Sequence, residues 1–394
     1  MFAVLSPTRK ATARAAALLS ILWLAACEPG PIAGMRGDEG PAVDTARPVP
    51  VALLVPRSDE GASRVARSLE NAAKLAVADL GDTARIDLRV YDTGGDARQA
   101  AEVAQLAVDD GARILLGPLF GEAANAAGVA VADDGVNVLS FSNNTSIAGG
   151  NVFVLGPTFQ NTADRLARFA AREGKSRIVI VHPDNVEGQS GHDAISSAAT
   201  ANGMEVVGTV SFTFSEEGAV DAASQVRDAV SSGEADSVFL TSNSAGALPL
   251  LAQLLPERGV DPEVTQYIGL ARWDVPRQTL DLPGLQGGWF ALPDQDMSSN
   301  FAARYEDAHG EPLHPLAGLA YDGIAAIGAL VERGDRRALT RGALTQGAGF
   351  QGTGGAFRLL SDGTNQRALS VATIRDGEVT ILDPAPRSFG GAGL

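Results

Sequence analysis

From residue 49 onward, short apolar runs alternate with stretches whose apolar residues recur every three to four positions. That alternation restricts the chain to a parallel β-sheet wrapped by helices. Residues 51–55 form a continuous apolar run, as in a strand buried on both faces. Val65, Leu69, Ala72, Ala76 and Leu80 make a helical stripe, and Ile86, Leu88 and Val90 alternate as in a strand. A helix over 97–110, a strand over 113–116, a helix to 133 and a strand over 136–139 continue the pattern. The rhythm restarts near residue 160, where Asn161 or Thr162 is a candidate helix cap. Strands are expected over 177–181, 205–210, 237–240 and 264–268, with helices to 172, from about 191, over 219–231 and to 257. Thereafter 289–291 reads as a strand, 298–309 and 316–332 as helices, and 356–360, 368–374 and 379–382 as short strands. Asp376-Gly377 between the last two is a hairpin signal.

The segment before this pattern has a different character. Arg9, Lys10 and Arg14 precede an apolar run over 15–24, and small residues lead to Cys27, the only cysteine of the chain. This is the layout of an export signal over 1–26, and the run is about half the ~20 residues that span a bilayer. Residues 27–48 are rich in Pro and Gly with no hydrophobic period, so they are expected to be a flexible tether. A flexible segment of that length reaches roughly 25 Å. The tail over 384–394 is expected to fray.

Thirty-one Lys and Arg stand against 47 Asp and Glu, a net charge of −16 that loss of the leader makes more negative. Nucleic acid is excluded as a partner, because phosphate binding needs a basic face.

Leu24-Ala-Ala-Cys27 resembles the lipobox of bacterial lipoproteins, which implies acylation at Cys27. Six segments in order resemble the type I periplasmic-binding-protein fold, in its Leu/Ile/Val-binding-like branch. They are 51–56, Tyr91-Asp-Thr-Gly-Gly-Asp96, Leu115-Leu-Gly-Pro-Leu-Phe120, Leu139-Ser-Phe-Ser142, Ala320-Tyr-Asp-Gly323 and Phe350-Gln-Gly-Thr-Gly354. Within that branch the chain is most similar to penicillin-binding-protein activator lipoproteins. The resemblance implies an α/β fold of two lobes, each a mainly parallel sheet flanked by helices, joined by three crossovers near 157, 287 and 350. Lobe one is then 49–157 plus 288–350, and lobe two 158–287 plus 351–383. Ligands of such folds sit between lobes, at the carboxyl ends of parallel strands.

Those loops hold the candidate ligand-binding residues. In lobe one they are Leu119, Phe120 and Gly121, then Ser140, Ser142, Asn143 and Asn144, a stretch dense in donors and acceptors. The same polar groups also suit a turn that satisfies its own backbone. In lobe two they are His182, Glu187, Ser242 and Asn243, the last two ahead of an expected helix start that would favour an anion. Amino-acid receptors of the branch carry hydroxyls after the third strand, an aromatic before the lobe-two glycine and an acid in the next loop. Here those places hold 118–121, Glu187 and an acid-free 241–246.

No Gly-x-Ser-x-Gly elbow, phosphate loop, EF-hand or His-Glu-x-x-His pair occurs, so no catalytic residue, metal or cofactor is expected. The resemblance leaves two functions. One is a non-enzymatic envelope lipoprotein that regulates peptidoglycan synthesis by contacting a peptidoglycan synthase, a penicillin-binding protein. The other is the substrate-binding receptor of an ABC permease for branched-chain amino acids or a related small molecule; a muropeptide in the cleft would join the two. Glu28 after Cys27 resembles outer-membrane lipoproteins, so a lipid anchor on the periplasmic face of the outer membrane is expected in preference to the inner.

Overall fold

The computed structural model describes residues 40–389. The leader over 1–26, Cys27, residues 28–39 of the tether and 390–394 of the tail lie outside the described residues.

Five parallel strands make the first sheet: β1 (Val49–Val55), β2 (Ile86–Asp92), β3 (Ile114–Leu116), β4 (Asn137–Ser140) and β5 (Val152–Val154), in the order β2-β1-β3-β4-β5. Their alternate residues feed two cores. Val51, Leu53 and Val55 pack with Leu69, Ala72 and Ala76 of α1 (Ser63–Leu80). Ala52 and Leu54 pack on the other face with Ala104 and Ala107 of α2 (Ala97–Asp109) and Ala127 of α3 (Gly121–Ala130). A strand covered on both faces must be apolar throughout, which is why 51–55 shows no alternation.

The second sheet has seven strands in the order β15-β14-β10-β9-β8-β6-β7. β6 (Arg177–Pro183), β7 (Glu205–Phe212), β8 (Ser237–Leu240), β9 (Gln266–Gly269) and β10 (Trp289–Leu292) run parallel. Helices α4 (Phe159–Arg172), α5 (Val186–Ala201), α6 (Glu216–Ser231) and α7 (Leu248–Glu257) connect or flank them. β14 (Ser370–Arg375) and β15 (Glu378–Asp383) add an antiparallel edge. Their turn has φ 53° at Asp376 and 72° at Gly377, the paired positive values of a tight hairpin.

After β10 the chain returns to the first lobe as α8 (Gln295–His309), α9 (Gly318–Val331) and α10 (Arg341–Leu344). It then forms a small antiparallel sheet of β11 (Phe350–Gly352), β12 (Gly355–Leu359) and β13 (Asn365–Arg367).

The expected lobe boundaries need correction. Trp289–Leu292 belongs to the second sheet, because it pairs with β9 and β14 and buries Phe290 and Leu292 in that core. Residues 351–367 belong to the first lobe, whose core takes Phe350, Phe357 and Leu359. The crossovers therefore lie at 155–158, 293–294 and 368–369. Asn365 stitches the first to the third, donating to the Val154 and Gly156 carbonyls at 2.9 Å and accepting from Asn161.

Part of the expected tether is also fixed. Val43 is buried in the first core, and its N–H donates to the Arg336 carbonyl at 2.9 Å. The described tail does not fray: Ala385 N–H bonds Ser370 Oγ, and Gln351 donates to the Arg387 carbonyl at 2.8 Å. The cap of α4 is Thr158, accepting from Asn161 N–H, and α5 begins at Val186 behind the Asn185 cap, five residues earlier than expected.

Candidate functional site

The direction of the crossovers sets where a site can form. β5 ends at Val154 and leads straight into the first crossover, and β10 ends at Leu292 and leads into the second. Both parallel sheets thus point their carboxyl ends at the crossovers, the end at which ligands of open α/β sheets bind.

In lobe one, Gly117 turns the chain after β3 with φ +93°, and a Cβ on it would lie 2.1 Å from the Leu54 carbonyl. Leu119 packs on the first core, while Phe120, at the N-terminus of α3, is 41% exposed. Gly121 lies against the next loop: a Cβ there would sit 3.3 Å from Asn144 Nδ2 and 3.4 Å from Ser142 Oγ. The hydroxyls of that loop are already committed. Ser140 Oγ donates to the Pro118 carbonyl and accepts from Ser142 N–H, both at 3.1 Å. Ser142 Oγ accepts from Asn144 N–H at 3.1 Å, and Asn144 Oδ1 from Ser146 N–H at 2.9 Å. This is a run of local turns, so Ser140 and Ser142 shape the loop; Asn143 is exposed.

In lobe two, Glu187, Ser242 and Asn243 line one cavity of about 280 Å³ with Phe214, which is 64% exposed. Ser242 is 5% exposed and its Oγ has no hydrogen-bond partner among the described residues. Asn243 Oδ1 accepts from Ala245 N–H at 3.1 Å, and its carbonyl accepts from Gly246 and Leu248 N–H. The expected anion-favouring helix start is therefore absent here. α7 begins at Leu248, and the N–H groups of the intervening turn are spent on Asn243.

His182 does not join these residues. It shares the strand parity of Ile178 and Ile180, which face the core under α4 and α5, and it is 5% exposed. Its ring lies 5.2 Å from that of His192 and its Nδ1 is 3.0 Å from the Pro183 carbonyl.

Arg272 escaped the sequence reading. It follows β9 and lines a cavity of about 320 Å³ at the crossovers, with Pro157, Pro293, Asp322 and Arg367. Its guanidinium is held by Asp274 at 2.9 Å. Applying the carboxyl-end rule to every parallel strand, the fourth of lobe two included, would have found it, and Phe214 after β7 as well.

The quoted motifs at 320–323 and 350–354 meet beside this cavity. Asp322, 1% exposed, accepts from Thr353 N–H at 2.7 Å and pairs with Arg367 at 3.0 Å. Asp92 plays a similar knitting part in lobe one. Burial raises its carboxyl, but N–H groups of Gly94, Ser58 and Arg57 outweigh that and hold it below the usual carboxylate range. Among the described residues, no group of three or more His, Cys, Asp or Glu is placed to hold a metal ion, and no helix is long and apolar enough to cross a membrane.

The family model for a periplasmic binding protein matches residues 48–378. No curated relative matches the chain by sequence. Solved structures with the same fold include a protein described as a branched-chain amino acid ABC transporter from Rhodospirillum rubrum (TM-score 0.73, 20% identity, covering 85% of this chain and 100% of that one). A substrate-binding protein from Desulfitobacterium hafniense in complex with Leu has a TM-score of 0.60 at 17% identity, covering 85% and 100%. A solute-binding protein from R. palustris in complex with benzoate has a TM-score of 0.55 at 18% identity, covering 86% and 98%.

Proposed function

The chain belongs to the periplasmic binding protein family, and we propose that it is the receptor of an ABC importer, holding a small solute between the two sets of carboxyl-end loops and delivering it to a membrane permease. One observation supports the reading: Ser242, whose buried hydroxyl has no hydrogen-bond partner among the described residues, lines a cavity together with Phe214. A hydroxyl left unpaired at that depth costs about 1–3 kcal/mol until a ligand bonds it. Phe120 on lobe one and Phe214 on lobe two are large exposed aromatics that a bound apolar body would cover. Glu187, which lines the same cavity, would meet an ammonium or a hydroxyl of such a solute.

The solute class that fits has an apolar body and one or two polar groups, such as a branched-chain amino acid or an aromatic acid, the ligands of receptors that share the fold. Capture and release need no bond chemistry, in keeping with a family of binding proteins. A lipid anchor at Cys27 on the periplasmic side, in the outer membrane given Glu28 after it, completes the proposal. Contact with a peptidoglycan synthase has no support in the family match or the neighbouring structures, so the importer reading is preferred.

The test is a thermal-melt screen of the exported chain against amino acids, amides, benzoates and muropeptides. A solute at 100 times its dissociation constant adds about 2.7 kcal/mol, and Ser242→Ala and Phe214→Ala should each weaken the response. A flat response to all four classes would sink the receptor reading.

A further inference from the structure

A further cavity lies where the first and third crossovers meet, and its chemistry is unlike the rest of this acidic chain. α4 places Arg165, Arg168 and Arg172 three and four residues apart, on one face. Arg358 of β12 and Arg367 of β13 approach from the first lobe's small sheet. These five guanidiniums line one cavity of about 190 Å³ with two carboxylates, Asp164 and Asp383. In a chain of net charge −16, that is a local reversal of sign.

Most of the five are partly spent. Asp383 takes Arg165 at 2.9 Å and also Arg172. Arg367 pairs with Asp322 and donates to the Leu155 carbonyl at 2.7 Å. Arg358 bonds Gln366 at 2.8 Å and lies 4.9 Å from the centre of the Phe389 ring. Arg168 differs: it is half-buried and makes no hydrogen bond or ion pair among the described residues. Asp164, one turn earlier, is occupied by Gln160 at 2.7 Å, and burial pushes its carboxyl up. The positive charge is not balanced from within. Burial, with repulsion from Arg172 and Arg168, pulls the Arg165 guanidinium down despite Asp383.

We infer that this cavity binds a small oxyanion, a phosphate or a phosphate-bearing head group, gripped through the free fork of Arg168. A guanidinium offers paired N–H donors that match such an anion, and the neighbouring Arg172 and Arg358 add charge without surrendering their own partners. The site shares Arg367 with the crossover cavity, but its grip is assigned to Arg168, which does not line that cavity, so its test stands apart from the importer reading.

The experiment titrates the full chain with sodium phosphate against sodium chloride at constant ionic strength, reading the melting midpoint. In parallel, flotation with phosphatidylglycerol vesicles is measured with and without competing phosphate. The expected result is a saturable rise with phosphate, or flotation that phosphate displaces. Arg168→Ala should weaken the apparent affinity at least about tenfold, and Arg168→Lys should fall between, keeping charge but losing the fork. A response to soluble phosphate alone assigns a free ion; displaceable flotation alone assigns a lipid head. Equal responses to phosphate and chloride with no flotation would overturn the site, as would an Arg168→Ala protein that responds like the parent.

Discussion

Removing the Asp322 carboxylate should unfasten the crossovers, and the size of the loss follows from its surroundings. Asp322 is 1% exposed, lies 3.0 Å from Arg367, and accepts from Thr353 N–H at 2.7 Å. Breaking a buried pair from one side costs about 3–5 kcal/mol, because the remaining charge stays buried. Leaving the Thr353 N–H unsatisfied adds about 1 kcal/mol or more. Asp322→Ala should therefore cost about 4–6 kcal/mol, and Asp322→Asn, which keeps an acceptor for Thr353, about 3 kcal/mol. Urea unfolding reads this directly: with a slope of about 3 kcal/mol per molar, the Ala variant's midpoint should fall by roughly 1.3–2 M. Adding Arg367→Met removes the stranded cation, so the double variant should be at least about 2 kcal/mol more stable than the summed single losses. Additivity within about 0.5 kcal/mol, or a single loss below about 1.5 kcal/mol, would refute the reasoning.

Three further outcomes are expected. Gly117→Ala should cost more than about 2 kcal/mol, since φ is +93° and the new methyl would meet the Leu54 carbonyl at 2.1 Å; a denaturation midpoint within error of the parent would contradict this. Val43→Ala should cost about 2 kcal/mol and speed proteolysis between residues 40 and 48, because Val43 is 2% exposed in the first core. Asp92 and Asp383 carry carboxyls held below the ordinary 3.8 by N–H groups and by Arg172 and Arg165, although burial alone would raise both. Their stabilisation is complete above that value and is lost as pH falls through the lower folded value, so Asp92→Asn should flatten the acid limb of a melting-point-against-pH curve.

The strand–helix rhythm was readable because burial on both faces leaves an unbroken apolar run, as at 51–55, and a helix leaves its stripe, as at Leu69 and Ala72. The hairpin at Asp376-Gly377 was equally plain, since both residues must take positive φ. Assigning strands to lobes was not possible from such signals. Trp289–Leu292 reads as a strand in either sheet, and only its pairing with Ile268 and Thr373 decides. Val152–Val154 is three residues long and leaves too little pattern to see. At the candidate site, sequence pointed to loops at the carboxyl ends of strands but not to what their side chains contact. Ser140 and Ser142 look like ligand donors in sequence yet spend their oxygens on neighbouring backbone, whereas Ser242 looks the same and is left unpaired. His182 was misplaced by one strand parity, and Arg272 by stopping one loop short. Asp322 and the Gly-Thr-Gly segment drew notice as motifs, and their contact within the first lobe, beside the crossovers, gives the physical reason for them.

The return of the chain to lobe one after β10 has a consequence for how the protein comes into being. Val51, Leu53 and Leu69 share their core with Ile324, Ile327 and Phe357, which emerge from the ribosome roughly 250 to 300 residues later. A nascent chain that has delivered its first sheet therefore carries an uncovered apolar face throughout the passage of α4 to α7, and the second sheet likewise waits for β14. Neither half can complete itself early, so folding is non-local and slow for its size. The exported chain is expected to need a holding chaperone until its last hundred residues arrive.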